Sequence, residues 1–267
     1  MPMVSPHDGD VAPDFLAREW ARRDEFSRIW QGRLDAVFTD IAPYYDVASN
    51  VASLGLFNRW RRRFISTVDL MPGDSVLDVC AGTNGVGIEL LRKQPDIHVV
   101  AIDRSRAMQE VGSDLARSHG FRIESTIGDV HHLPFPNDSF DVVTLQWASR
   151  HLRIVDVFGE IMRVLKPGGR FYHCDMLRPS RKSVEVLYSA YLKACLLTTA
   201  FAFRCGPEAW SCRDYFVRAI QTFYSAEELT ELLAAAGFSD ITCSKAAGGT
   251  MAAHRAVARG APVRDPA

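Results

Sequence analysis

The chain has 267 residues, enough for one large α/β domain with additions, and its 47% hydrophobic content supplies a sizeable core. Its 31 basic and 32 acidic residues nearly cancel, which argues against a surface dedicated to nucleic acid or anionic lipid. The six cysteines, Cys80, Cys174, Cys195, Cys205, Cys212 and Cys243, lie in apolar contexts without a C-x-x-C pair. Reduced thiols in a cytoplasmic protein are therefore expected, not a disulfide framework or a zinc site.

In chain order, residues 1–13 read as a disordered tail without the pattern of a secretory signal, and residues 14–70 read as N-terminal helices forming a lid. Asp14 to Trp30 carries apolar positions at helical spacing, with Trp20 and Trp30 on a stripe suited to docking. RLDAVFTDIAPYYDVASNVASLGLFNRWRRRF follows as two or three short helices, broken at Pro43 and around Ser53 to Gly55. Its run of Arg59, Arg61, Arg62 and Arg63 is most simply a solvated helix face, with contact to an anionic or membrane-bound substrate as the alternative. Residues 71–260 then alternate short apolar runs (SVLDVC, HVVAID, RIESTIGD, FDVVTLQ, GRFYHCDM) with helical stretches, the signature of a doubly wound parallel sheet. A helical insertion over about 180–220 includes the long apolar VEVLYSAYLKACLLTTAFAF, though no run reaches the ~20 uninterrupted apolar residues of a membrane span. Ser225 and Glu228 form a capping box, ITCSKAAGGTMAAHRAVAR offers an antiparallel hairpin, and 261–267 is a tail. Five parallel strands closed by a hairpin are the arrangement expected of a class I methyltransferase, an α/β Rossmann-like fold.

Ligand chemistry concentrates at the ends of these strands. In SVLDVCAGTNGVG, Asp78 ends the first strand and Gly82 lets the turn approach a ligand, with backbone N–H groups of the next helix facing it. Asp103, followed by Arg104, ends the second strand, where a carboxylate can accept two hydrogen bonds from ribose hydroxyls. Its bland reading is a helix N-cap. Gly128-Asp129-Val130 follows the third strand, where a carboxylate and an amide can meet an adenine; Met108 either packs on that ring or is core.

The segments VFTDIAPYYDVASNVASLGLFNRWRRR, VLDVCAGTNG, GDVHHLPFPNDSFDVVTLQWASRHL, MRVLKPGGR, AAAGF and GGTMAAHR resemble the ubiquinone/menaquinone biosynthesis C-methyltransferase family (UbiE, MenG and COQ5), colinearly from about Val37 to Val257. The resemblance implies S-adenosylmethionine as cofactor, with contacts at Thr83, Asp103, Asp129, Val130 and Gln146, and C-methylation of a quinol ring without a metal. It also implies an arginine at Arg150 to hold a developing oxyanion, a Tyr45-Asp46 pair on the lid, and Asp129 joined to Arg150 through water. Three departures stand out. Asn84 replaces a common glycine but tolerates a left-handed backbone. Cys80 reads as a buried structural thiol. His151 stands where the family has asparagine, and two readings stay open: a general base or a satisfied polar residue. His131, His132 and His254 are weaker candidates, and the 200–214 stretch fits poorly, with Cys212 where a tyrosine is expected.

Three functions follow: C-methylation of a quinol, prenylated or not; methylation at C, O or N of another aromatic metabolite; or a non-methylating protein on the same scaffold. Expected partners are the small aromatic substrate, a membrane surface touched peripherally through the basic helix, and a second copy in a homodimer, but no nucleic acid.

Overall fold

The computed structural model describes residues 13–29, 34–204, 206–207, 210 and 213–259. Both expected tails, Pro13 apart, as well as Trp30, Cys205 and Cys212, lie outside that range. Four helices precede the sheet: α1 (Pro13–Ile29), α2 (Leu34–Ile41), α3 (Tyr45–Ala52) and α4 (Leu56–Thr67). The strands are β1 (Ser75–Val79), β2 (His98–Asp103), β3 (Glu124–Ile127), β4 (Phe140–Gln146), β5 (Leu165–Met176), β6 (Phe238–Ala246) and β7 (Met251–Ala258). They form one sheet in the order β3-β2-β1-β4-β5-β7-β6. The first five are parallel; β7 runs antiparallel to β5, and β6 antiparallel to β7. The expected class I methyltransferase fold with its terminal hairpin is the fold observed.

Crossovers α5 (Gly85–Lys93), α6 (Arg106–Ser118) and α7 (Ile154–Val164) join the parallel strands. Alternate residues of β1 face opposite cores, because side chains on a strand repeat with period two. Leu77 and Val79 pack with Phe158 and Ile161 of α7, while Val76 packs with Phe64 of α4 and Leu90 of α5. Burial on both faces explains why these strands read as continuous apolar runs. After β5 come α8 (Lys182–Ala202), α9 (Arg213–Gln221) and α10 (Ala226–Ala235). The capping box of α10 is present as expected: Ser225 Oγ accepts the Glu228 N–H, and Glu228 accepts the Ser225 N–H at 2.8 Å.

Two expectations about the N-terminal helices change. Trp20 is 71% exposed, so the helix does not dock on its own chain through it. The helix is instead held to its own chain by charged groups: Arg18 pairs with Glu228, Arg218 Nε donates to Glu25 at 3.0 Å, and Arg22 donates to the Leu152 carbonyl at 3.1 Å. The arginine run of α4 is also not wholly solvated. Helical spacing places Arg61 on the side of buried Phe57 and Ile65, while Arg59, Arg62 and Arg63 face solvent.

Strand order reverses at β1, which lies between β2 and β4, and this opens a crevice beyond the carboxyl ends of those strands.

Candidate active site

The crevice holds a cavity of about 950 Å³ including its opening to solvent, roofed by Leu34, Asp35 and Phe38 of α2, Tyr45 of α3, and Phe57 and Arg61 of α4. Its floor begins at the turn after β1. Cys80, Gly82 and Asn84 all have left-handed backbones, with φ of 55°, 54° and 59°. Asn84 therefore holds the conformation that a glycine would supply, and its amide oxygen accepts a hydrogen bond from Gln109 Nε2 at 3.0 Å. Gln109 also donates to the Gly82 carbonyl at 2.9 Å, tying α6 to the turn. The close approach explains Gly112, where a Cβ would lie 2.7 Å from the Thr83 carbonyl carbon.

Asp78 Oδ1 accepts the Thr144 hydroxyl at 2.7 Å, while Oδ2 is buried and unpartnered beside the cavity. Burial pushes its carboxyl up to about 7, against hydrogen bonding by Thr144 and the pull of Arg61. Asp103 accepts backbone N–H groups from Gly82 and Ser105, each at 2.8 Å, with its carboxyl raised chiefly by burial. It is not the N-cap of α6; Ser105 is, accepting the Met108 N–H at 3.3 Å. Each carboxylate oxygen of Asp103 retains acceptor capacity, and the residue lines the cavity. Arg104 also lines it while pairing with Asp35 at 2.9 Å.

The lid closes through side chains. Asp46 accepts the Thr83 hydroxyl at 2.5 Å and the Arg61 guanidinium at 2.8 Å. Arg61 sits directly on the turn, so that a Cβ on Gly85 would lie 2.2 Å from its Nη1. Tyr45 is buried, which raises its hydroxyl pKa, although the nearby Arg150 cation opposes the rise.

At the end of β4, Trp147 adopts φ of 59° and places a buried, unpartnered indole N–H beside the cavity. A bulky residue held left-handed is a strained choice that surrounding structure must enforce. His151 Nδ1 lies 2.9 Å from the Tyr215 hydroxyl, and Nε2 is buried without a partner beside the cavity. Burial, with the cations Arg150 and Arg22, holds its pKa well below the ordinary imidazole range, so the ring is neutral. Phe38 and Phe216 meet it edge-on at 6.3 and 5.4 Å.

Thus the cavity gathers Tyr45, Asp78, Gly82, Thr83, Asp103, Arg104, Met108, Val130, Gln146 and His151, but Gly128, Asp129 and Arg150 are not among the residues lining it. Asp129 is engaged by the His131 backbone N–H at 3.0 Å and by His131 Nδ1 at 2.6 Å; His131 Nε2 in turn accepts the Arg153 N–H at 3.2 Å. His131 is thereby a loop brace. Arg150 is buried beside the cavity, where it pairs with Asp175 and donates to the Trp147 carbonyl at 2.9 Å. Burial is the largest single influence on Arg150 and opposes its charge, but Asp175, Tyr45 and Tyr188 together raise its pKa and keep it cationic. Buried His254 donates its Nε2–H to the Ala226 carbonyl at 3.1 Å, within the core. Burial raises the Cys80 thiol well above its ordinary range, consistent with a structural role.

The sequence reading missed Arg61, Trp147, Gln109 and Tyr215. Arg61 was detectable from its i, i+4 spacing to Phe57 and Ile65, which marks the inward face of α4. Tyr215 carried no local signal, since it reaches His151 across 64 residues.

A family described as the ubiE/COQ5 methyltransferase family has a sequence model that matches residues 27–258. The chain is 33% identical over 221 residues to a demethylmenaquinone methyltransferase from Streptomyces avermitilis, covering 82% of this chain and 92% of that one. It is also 33% identical over 214 residues to a ubiquinone/menaquinone biosynthesis C-methyltransferase from Geobacter sulfurreducens, covering 78% and 81%. A solved SAM-dependent methyltransferase from Aquifex aeolicus shares the fold, with a TM-score of 0.55 and 18% identity over 79% of this chain and 98% of that one.

Proposed function

The chain belongs to the ubiE/COQ5 methyltransferase family, and on that premise we propose that it transfers a methyl group from S-adenosylmethionine to a ring carbon of a demethylmenaquinol-like or demethoxyubiquinol-like quinol. The observation that carries the reading is the single cavity that joins the β1 turn and Asp103 to Tyr45 and His151. Unpartnered Asp78 Oδ2, Trp147 Nε1 and His151 Nε2 fit a polar occupant, since buried polar atoms ordinarily find partners. Asp103 would accept the ribose hydroxyls, Val130 and Met108 would pack on the adenine, and Gly82, Thr83 and Gln146 would complete that end. Asp78 and Arg61 suit an ammonium and a carboxylate. S-adenosylmethionine supplies an electrophilic methyl group.

The chain's own part is to make the acceptor carbon nucleophilic and keep water away. Loss of a phenolic proton pushes electron density onto the adjacent ring carbon. His151, neutral and oriented by Tyr215, accepts that proton at Nε2 when its Nδ1–H faces the Tyr215 oxygen. The carbon that gains the methyl group then loses its ring proton to water, and the oxygen regains a proton from His151 as the ring becomes aromatic again. Arg150 and Tyr45 stabilise the oxygen that becomes anionic, Arg150 through its field from beside the cavity. Asp129 contributes indirectly, by fixing the loop next to Val130. In this scheme residues 71–260 form the catalytic domain and 14–70 its lid, in a cytoplasmic protein that works at the inner face of a membrane.

A second reading, methylation at C, O or N of another aromatic metabolite, is favoured by the His151–Tyr215 pair, because asparagine at position 151 could not supply the same proton acceptor. Incubation with isotopically labelled cofactor and a panel of demethylmenaquinol, demethoxyubiquinol analogues and small phenols, read by mass spectrometry, separates these outcomes. Label on a quinol ring carbon supports the first reading. Label only on a phenol or amine supports the second, and no label transfer anywhere overturns both.

A further inference from the structure

The 21-residue α8 is long and apolar enough by composition to cross a membrane, yet little of it is buried. One side is fixed in the protein: the Tyr191 hydroxyl donates to the Ala52 carbonyl at 2.9 Å, and Cys195 Sγ approaches the same oxygen at 3.2 Å. Near the other end of α3, Tyr44 stacks on Phe203 at 5.4 Å, so the two helices pack antiparallel. The opposite side is left to solvent. Leu187, Ala190, Ala194, Leu197 and Phe201 recur there at three- and four-residue spacing and are all exposed, Leu187 at 73% and Phe201 at 82%. Val47, Val51 and Leu54, on and just after α3, are exposed as well. An ordinary surface helix turns its polar side outward; α8 presents an apolar stripe instead.

Among the described residues, the exposed charges of these helices that form no ion pair have one sign: Lys193 lies on α8, and Arg59, Arg62 and Arg63 lie on α4, the helix that follows α3. The acids of these three helices, Asp46 and Glu185, are partly buried and paired with Arg61 and Lys182. A chain whose net charge is only −1 therefore carries unpaired cations on helices that also present an exposed apolar face. A two-fold partner would bring those cations against their own copies, at an electrostatic cost. An anionic lipid surface meets both features at once, apolar side chains entering the acyl boundary and cations meeting headgroups.

We propose that the exposed face of α8, with α3 and the outer arginines of α4, is a docking surface for an anionic lipid bilayer. Helix α8 packs against α3, whose first residue, Tyr45, lines the cavity. A lipid-soluble acceptor can then reach the cavity without crossing bulk water. The surface follows from exposure and charge alone and stands whether or not the acceptor is a quinol.

The test is sedimentation of the full chain with vesicles of phosphatidylcholine alone and of phosphatidylcholine mixed with phosphatidylglycerol. Binding is expected to the mixed vesicles, weakened by salt. Phe201→Glu and Leu197→Glu should each reduce it by about tenfold, and Arg62→Gln by about fivefold. These positions are exposed, so melting temperature and methyl transfer to a water-soluble hydroquinone should be unchanged. Absence of binding to the mixed vesicles at low salt overturns the proposal. So does equal binding by the wild type and the two glutamate variants. A concentration-dependent dimer that is abolished by Phe201→Glu also overturns it and assigns the face to a second copy.

Discussion

At one end of the cavity the polar contacts run through backbone: Asp103 takes N–H groups from Gly82 and Ser105, and Asn84, Gln109 and the Gly82 carbonyl hold the turn. At the other end they run through side chains brought from separate elements: Arg150 to Asp175 and His151 to Tyr215. The first end depends on sheet topology and a short stretch of chain, and any ligand it takes must match fixed backbone dipoles. The second depends on tertiary packing of α2, α3, α4 and α9, so a single substitution can redirect its chemistry while the fold persists. In the proposed scheme, that difference lets the cofactor end persist while the acceptor end changes at His151.

The largest expected effect lies at the backbone end. Asp103→Ala removes the acceptor for two backbone N–H groups and for the proposed ribose contacts. The Kd for S-adenosylmethionine, measured by calorimetry, should rise about 100-fold, since a hydrogen bond to a charged group is worth about 1.5–3 kcal/mol. An unchanged Kd would remove the cofactor assignment.

At the side-chain end, Arg150→Ala should lower turnover by about tenfold to 100-fold, with the cofactor Kd within about twofold of wild type. It also leaves Asp175 buried without its cation, a loss of about 3–5 kcal/mol of stability. The double variant Arg150→Ala with Asp175→Asn should recover the melting temperature but not the turnover. If both recover together, Arg150 is a strut and the two ends of the cavity do not divide into binding and chemistry.

The sheet was legible because its signal is local: period-two strands, a capping box at Ser225 and Glu228, and a hairpin at the glycine turn all read from neighbouring residues. The cofactor end was legible for the same reason, since Asp78, Gly82 and Asp103 sit where strands stop. Gly128 and Asp129 show the limit of that logic. They follow β3 as expected, but Asp129 Oδ1 is held by His131, two residues on, and neither residue lines the cavity. The acceptor end was not legible because no spacing in the sequence reports that Tyr215 meets His151 across 64 residues. Trp20 is a different case: an aromatic at helical spacing suggested docking, but within this chain the helix is held by Arg18, Arg22 and Glu25, whose partners lie far along the sequence.

The smallest effect is the most specific test of the side-chain end. Tyr215→Phe keeps the ring that packs on His151 and removes only the hydroxyl 2.9 Å from Nδ1. Once His151 takes up a proton, both nitrogens carry hydrogen, and the Tyr215 oxygen is the acceptor that stabilises the Nδ1–H. Burial, Arg150 and Arg22 already hold the His151 pKa well below its ordinary value, so losing that acceptor lowers it further. With His151 as the base, activity needs the neutral ring and is lost as pH falls through its pKa. In the variant that acid limb should therefore move to lower pH, by about 0.5–1 unit for a hydrogen bond worth about 1 kcal/mol. Turnover on the plateau should fall about tenfold at most, because a weaker base accepts the proton less readily. A pH–rate profile that superimposes on the wild type, with equal turnover, would make His151 a wall of the cavity and return the proton to another acceptor.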